Sequence, residues 1–257
     1  MIPIYNEARH LEEFFKLLLA TAFEFEAEFV VVDDCSRDDS WAIVEKVVRA
    51  NPDRNILTHR NETNLGKGAS LRVGIAMATA EVIAVQDADF EYDPLDLNRL
   101  VRPIVEGKAD VVFGSRFHSS SPQVHRTFHF LINRFLTLVS NVMSGLFLTD
   151  METCYKVFRS EIIKPLAAGF ISNRFGFEPE VTAAVSKLKI RLHEYPVSYF
   201  PRSYLEGKKI SWKDGFSALW YIMKCNLMPL SPEVLSRIPE RFQVRRRLIA
   251  KSQYEAS

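Results

Sequence analysis

Cysteine is sparse in this chain. Its 257 residues hold Cys35, Cys154 and Cys225, an odd number placed far apart. They offer neither a disulfide framework nor metal-ligand spacing, which favours a reducing compartment. Excess charge is missing as well: thirty-three basic and thirty-two acidic residues leave +1, so no bulk attraction to nucleic acid is expected. Long hydrophobic runs are absent. The most apolar stretches, 128–148 and 216–230, are too short or too interrupted by Asn, Arg, Ser and Lys to be expected to cross a bilayer. No secretory leader is expected, since Met1 runs straight into Ile2-Pro3-Ile4-Tyr5-Asn6-Glu7. That first strand starts so abruptly that a truncated or misassigned N-terminus is expected. With no internal repeat and no low-complexity tract, the length suits one large α/β domain, alone or with a C-terminal extension.

Carboxylates at the ends of apolar runs organise what is present. Val82-Ile83-Ala84-Val85 reads as a strand buried on both faces, and Asp87 and Asp89 stand where it should end. In an extended chain, residues two apart point the same way, so these carboxylates are expected to converge on one ligand. A cation between them relieves their repulsion; Mg²⁺ or Mn²⁺ suits oxygen ligands and commonly bridges diphosphates. A solvated acidic turn is the plainer alternative. Phe29-Val30-Val31-Val32 is a second such run, ending in Asp33-Asp34.

Around these runs the chain alternates. Asn6 is placed to cap a helix whose apolar face is Leu11, Phe14, Phe15, Leu18 and Leu19. A helix from Asp38 turns Trp41, Val44 and Val48 inward; Asn51-Pro52-Asp53 breaks it, and 55–59 is a third strand. The polar loop 61–68 leads into a helix over 69–79. After the acidic strand end come a helix over 96–106 and a strand at 110–113. Such a series predicts a doubly wound, mostly parallel sheet that binds ligands outside the carboxyl ends of its strands, where all four aspartates fall.

Beyond Gly114-Ser115-Arg116 the alternation fails. A helix over 127–148 is expected to carry Phe128, Leu131, Ile132, Phe135, Val139, Val142 and Met143 on one side, with Arg134, Thr137, Asn141 and Ser144 on the other. The segment 174–180 leads into a helix to about Leu188, then a strand at 190–197 and a basic loop at 201–209. A last, amphipathic helix carries Trp212, Phe216, Leu219, Trp220, Met223 and Leu227 at helical spacing. Ordinary core is its plain reading. Docking on a membrane surface is the sharper one, because Lys208, Lys209, Lys213 and Lys224 flank the aromatics. The tail from Ser231 is polar and basic at Arg245-Arg246-Arg247.

Ile2-Pro3-Ile4-Tyr5-Asn6-Glu7, Asp33-Asp34-Cys35-Ser36, Asn64-Leu65-Gly66-Lys67-Gly68 and Asp87-Ala88-Asp89 together resemble family 2 glycosyltransferases of the GT-A fold. Gly114-Ser115-Arg116, Asp150-Met151-Glu152-Thr153-Cys154-Tyr155-Lys156, Arg174-Phe175-Gly176-Phe177-Glu178 and the run from Pro201 to Ile210 are similar to the dolichyl-phosphate mannose synthase branch. The resemblance covers about residues 1–225, with the motifs in the family's order. It implies a GT-A-type catalytic domain over 1–209, divided into a nucleotide-sugar half (1–116) and an acceptor half (117–209). The amphipathic helix at 210–230 and the basic tail at 231–257 would follow. It further implies a nucleotide-sugar donor, a divalent metal, and inverting transfer to a polyprenyl phosphate at the cytoplasmic face of a membrane. By similarity, Pro3, Tyr5 and Glu7 line the nucleoside pocket with Asp34, and Asp87 and Asp89 hold the metal. Glu91 stands where some members place a third, glutamine ligand. A turn glycine of the family is replaced in Asp38-Asp39-Ser40.

Inverting transfer needs an acceptor oxygen in line with the leaving diphosphate and a charge sink, which a metal supplies. A phosphate acceptor is already ionised near neutral pH, so positioning and arginine clamps should dominate; Arg116, Arg134 and Arg202 are the candidates. A hydroxyl acceptor would instead need a carboxylate base, for which Asp150 is the nominee. Lys67 in Gly66-Lys67-Gly68 does not complete a P-loop, since Asn61 and Gly68 occupy positions that require Gly and Ser or Thr. A backbone-rich loop beside the nucleotide fits better. His118, His125 and His129 have no cysteine or fourth ligand nearby, so zinc is not expected. The alternatives are a soluble family 2 transferase with a glycan or other hydroxyl acceptor, a nucleotide-sugar-binding protein without turnover, and a nucleotidyltransferase on a similar sheet.

Overall fold

The computed structural model describes residues 1–117, 127–174, 176–201 and 212–244; the side chains of 127–129 and 212–214 lie outside the description. Ile2–Ile4 (β1), Ala8–Ala20 (α1), Phe29–Asp33 (β2), Ser40–Ala50 (α2) and Ile56–Arg60 (β3) open the chain. The strands pair in parallel in the order β1-β2-β3, and all five residues of β2 are buried. Helix α1 buries Leu11, Phe14, Phe15 and Leu18, as its spacing predicts. Lys67–Met77 (α3), Val82–Ala84 (β4), Asp96–Val105 (α4), Val111–Ser115 (β5) and Thr127–Ser144 (α5) come next. Lys156–Arg159 (β6), Ser160–Ala168 (α6), Phe177–Val185 (α7), Leu192–Pro196 (β7), Trp212–Leu227 (α8) and Pro232–Arg237 (α9) complete the element order, with a 3₁₀ turn at Glu240–Phe242.

The second group of strands is ordered β4-β6-β5-β7, with β6 antiparallel to both neighbours and β5 parallel to β7. The Met1 amino group donates to Ala84 O (2.8 Å) and Met1 O accepts from Gln86 N–H (3.0 Å), carrying the ladder from β1 to β4. The two sheets, β1-β2-β3 and β4-β6-β5-β7, thus meet edge to edge through Met1, with β6 as the reversed strand.

Four features depart from expectation. Strand β4 ends at Ala84, so Asp87 and Asp89 sit in an irregular turn and not on a regular extended pleat. Strand β6 is central yet was not anticipated, because it opens on a lysine. Lys156 is fully buried; its Nζ donates to Met151 O (2.8 Å) and Thr153 O (2.6 Å) and lies over the Phe113 ring, while burial pushes its pKa down. The segment after Ser231 is not all tail: Ser231 Oγ caps α9 by accepting Val234 N–H, and Val234, Ile238 and Phe242 are buried, with α9 against α6.

Helix α5 is the fourth. Leu136, Thr137 and Ser140 face the interior, whereas Leu131, Phe135, Leu138 and Val142 face outward. In α8, packed against α5 and α7, Ala218, Ile222 and Cys225 are buried; Phe216, Trp220, Met223 and Leu227 are exposed. No helix among the described residues is long and apolar enough to cross a membrane.

Candidate active site

The carboxyl edge of the sheet is where the backbone departs most from regular geometry. Among the described residues three non-glycines adopt positive φ, and each follows a strand at this edge: Asn6 (53°) after β1, Cys35 (58°) after β2 and Phe90 (58°) after β4. Such conformations persist only when neighbours over-determine them. Here the first two turns lock together. Asn6 N–H donates to Ser36 Oγ (3.0 Å), Asn6 Oδ1 accepts from Arg37 N–H (2.8 Å), and Glu7 N–H donates to Ser40 Oγ (2.9 Å). Ser40 thus ties the second turn to the first.

Asp34 is 3 % exposed and serves the polar loop after β3. Its Oδ1 accepts from Asn61 Nδ2 (2.8 Å) and Leu65 N–H (2.9 Å); its Oδ2 accepts from Asn64 Nδ2 (2.8 Å) and Gly66 N–H (2.7 Å). The loop is pinned from the other side by the chain at 172–174. Gly66 has φ of 98°, and a Cβ there would lie 2.4 Å from Asn173 O; one on Gly68 would lie 2.6 Å from Ser172 O. Only glycine permits this approach. Glu180 holds the opposing segment by accepting Ile171 N–H and Ser172 N–H.

Between these walls lies a cavity of about 330 Å³. The nucleoside candidates Pro3, Tyr5, Glu7 and Asp34 line it, as do Lys67, Asp87, Asp89, Glu91 and Arg116. Lys67 Nζ bridges Asp87 Oδ2 and Glu178 Oε1, both at 2.9 Å. Burial opposes its charge, but the two carboxylates outweigh it and hold the ammonium well above its ordinary pKa. Asp89 Oδ1 accepts Glu91 N–H (3.1 Å), and Glu91 Oε2 accepts from Tyr199 O–H (2.8 Å). Among the described residues no three His, Cys, Asp or Glu side chains converge as a complete metal cage.

Asp150 is placed differently from the base role considered for it. It is fully buried and does not line the cavity. Both its oxygens go to Arg116: Nε to Oδ2 and Nη2 to Oδ1, each 2.7 Å, with Arg116 N–H to Oδ2 at 3.0 Å. Burial works against its charge, and the guanidinium outweighs it, keeping the carboxyl below its ordinary value. Glu194 fixes the turn by accepting Thr149 N–H and Asp150 N–H. Asp150 therefore aims Arg116, whose guanidinium also stacks 5.1 Å from the Tyr199 ring centroid. Arg134 is exposed on α5, 3.4 Å from Thr149 O, and does not line the cavity. Arg202, Phe175, most of the basic loop 201–209 and Arg245–Arg247 lie outside the described residues, as do His118, His125 and the His129 side chain.

Glu152, Cys154, Arg174 and Glu178 line the cavity without having been singled out. All four lie in motifs noted above. The available signal was the second carboxylate of Asp150-Met151-Glu152, carried in an otherwise buried run.

The sequence profile described as Glycosyl transferase family 2 matches residues 1–166. The chain belongs to this family. As a family 2 glycosyltransferase it is 28% identical over 214 residues to an undecaprenyl-phosphate mannosyltransferase of Micrococcus luteus, covering 81% of this chain and 85% of the relative. It is 28% identical to a dolichyl-phosphate beta-glucosyltransferase of Trichomonas vaginalis, over 82% of this chain and 67% of that protein. An uncharacterized protein of Methanocaldococcus jannaschii is 26% identical over 87% of this chain and 89% of its own length. Among solved structures, a glucosyl-3-phosphoglycerate synthase of Mycobacterium tuberculosis, in complex with Mn²⁺, uridine diphosphate and glucosyl-3-phosphoglycerate, superposes with a TM-score of 0.63. At 15% identity, over 90% of this chain and 80% of that one, the likeness establishes the GT-A-like fold of this glycosyltransferase.

Proposed function

We propose that this glycosyltransferase moves a hexose from a nucleotide-sugar donor, GDP-mannose or a UDP-hexose, to a polyprenyl phosphate at the cytoplasmic surface of a membrane. The observation that carries this reading is the Arg116–Asp150 unit. It presents a desolvated guanidinium to the cavity and leaves Asp150 no free oxygen with which to take a proton. That combination suits an anionic acceptor and not a hydroxyl whose proton must be removed. Relatives named for undecaprenyl-phosphate and dolichyl-phosphate transfer support the same acceptor class.

The acidic turn fits Mg²⁺ or Mn²⁺. Its donors are all hard oxygens, and a cation, the Lys67 ammonium, already sits against Asp87. Asp87 and Asp89 would hold the ion, with Glu91 beside them. Such ions are commonly bound by one or two carboxylates, with phosphates and water completing the shell, so a full protein cage is not required. When bound, the ion supplies the charge sink for the leaving diphosphate. The residues of the chain do the rest. The 61–68 loop, fixed by Asp34, shapes the donor wall together with Pro3, Tyr5 and Glu7. Lys67 adds positive charge beside it, and Arg116 positions the acceptor phosphate. On this reading residues 1–116 serve the donor and 117–209 the acceptor. The outward apolar faces of α5 and α8 supply a surface for lipid.

The test is a donor panel with Mn²⁺ or Mg²⁺, with and without a short-chain polyprenyl phosphate, read as nucleoside diphosphate release. Release should require both metal and lipid phosphate, cease with EDTA and return with metal. Equal release with a glycan acceptor, or with no lipid, would overturn the acceptor assignment.

A further inference from the structure

Of the described carboxylates in the cavity, Glu152 is the one with an unbonded buried oxygen. Its Oε1 is shielded from solvent and has no hydrogen-bond partner. Five others are engaged: Asp34 by four donors, Asp87 and Glu178 by Lys67, Asp89 by Glu91 N–H, and Glu91 by Tyr199. A buried carboxylate oxygen left without donors is costly, and such a group in a native protein calls for an explanation. We propose that Glu152 binds the transferred hexose, accepting hydrogen bonds from its hydroxyls. The assignment rests on the glycosyltransferase reading above.

Position and chemistry both lead there. Glu152 feels the charge of Glu178, which pairs with Lys67 next to Asp87, and the charge of Arg116. The first of these belongs to the place proposed for the donor diphosphate, the second to that proposed for the acceptor phosphate. The group that lies between two such phosphates during transfer is the sugar. Elimination agrees. Neither the diphosphate nor a lipid phosphate offers donors, and both would repel a carboxylate, whereas a hexose brings several O–H groups. Burial and the Glu178 charge push the Glu152 carboxyl up to about 7, as befits an acid short of donors until a ligand brings them.

Equilibrium binding of UDP and UDP-glucose, and of GDP and GDP-mannose, in Mn²⁺, to wild type, Glu152→Ala and Glu152→Gln tests this. For whichever nucleotide binds, Glu152→Ala should weaken the nucleotide-sugar about ten- to a hundredfold and leave the nucleoside diphosphate unchanged. Glu152→Gln should keep part of the affinity, because its amide oxygen still accepts. Both ligand-free variants should melt at or above wild type, since an unsatisfied acid is gone, which excludes a folding defect. Equal losses for both ligands would overturn the proposal, because Glu152 would then shape the nucleotide site. Intact sugar-nucleotide binding, with slow transfer and a lost basic limb in the pH profile of Glu152→Gln, would overturn it in favour of a general base. Wild type that binds neither nucleoside diphosphate would strike the glycosyltransferase reading first and remove this assignment with it.

Discussion

Helices α1 and α5 are both rich in leucine and phenylalanine and use them in opposite senses. In α1 the apolar residues Leu11, Phe14, Phe15 and Leu18 point at the sheet, while Glu12, Glu13 and Lys16 meet solvent. In α5 the large residues Phe135, Leu138 and Val142 are 56%, 61% and 76% exposed, and Thr137 and Ser140 are buried. Thr137 is employed there, its Oγ1 accepting Met151 N–H at 3.1 Å beside the Asp150 turn. Helix α8 repeats the arrangement, with alanine, isoleucine and cysteine inside and Phe216, Trp220, Met223 and Leu227 outside. Helical periodicity thus says which residues share a face but not which face meets the core. Where small and polar groups fill the inner side, the outer stripe is available for something apolar.

The sharpest way to break this comparison is to truncate one phenylalanine on each helix. Phe14→Ala should cost about 3–5 kcal/mol of unfolding free energy, and Phe135→Ala no more than about 0.5 kcal/mol, read from denaturant midpoints. Similar losses would mean that the α5 stripe is core after all.

The pair beneath α5 comes next. Asp150→Ala leaves Arg116, its side chain only 10% exposed, as a charge without its partner, a change of the kind that costs about 3–5 kcal/mol. Transfer by Asp150→Asn should fall about as far as in Arg116→Ala, because one aims the other. An Asp150→Asn enzyme that differs from wild type only by a missing basic limb would restore Asp150 as a base.

A smaller effect is expected at the outer stripe. Phe135→Glu combined with Trp220→Glu should reduce sedimentation with anionic vesicles tenfold or more, since each buried apolar side chain contributes about 1.5–3 kcal/mol. The melting temperature should hold. Unchanged vesicle binding would leave the apolar surface to a protein partner.

A pH slope probes the cavity from within. The Glu152 carboxyl is raised from 4.5 to about 7, so the folded state holds its proton where the unfolded chain has released it. Below about 4.5 it costs nothing; stability then declines as pH rises toward 7, and the penalty is complete above that. Glu152→Gln should flatten this part of the wild-type profile, and parallel profiles would show that the carboxyl titrates normally.

Much of residues 1–116 was legible because the signals there are local. An apolar run followed by acids marks β2 with Asp34, and another marks β4 with Asp87 and Asp89. The rest of the chain was harder to read, since its decisive facts are long-range. Lys156 reads as a solvent residue, yet it sits in the central sheet. Asp150 reads as a free carboxylate, and only the fold shows that Arg116 consumes it. Asp34 lines the cavity, as the strand-end reading expects, but its four bonds to the 61–66 loop depend on contacts about thirty residues away, which no spacing rule reveals.

The close approach of Gly66 and Gly68 to residues 172–174 bears on how the protein is made. This wall of the cavity is shaped against main chain that leaves the ribosome about a hundred residues later, and Lys67 meets its second carboxylate, Glu178, later still. The first three strands and their helices could assemble early in synthesis, but the loop between β3 and α3 would lack its template until α7 emerged. Competence to hold a nucleotide should therefore arrive late and abruptly, so that a nascent or prematurely ended chain would not sequester donor it cannot use.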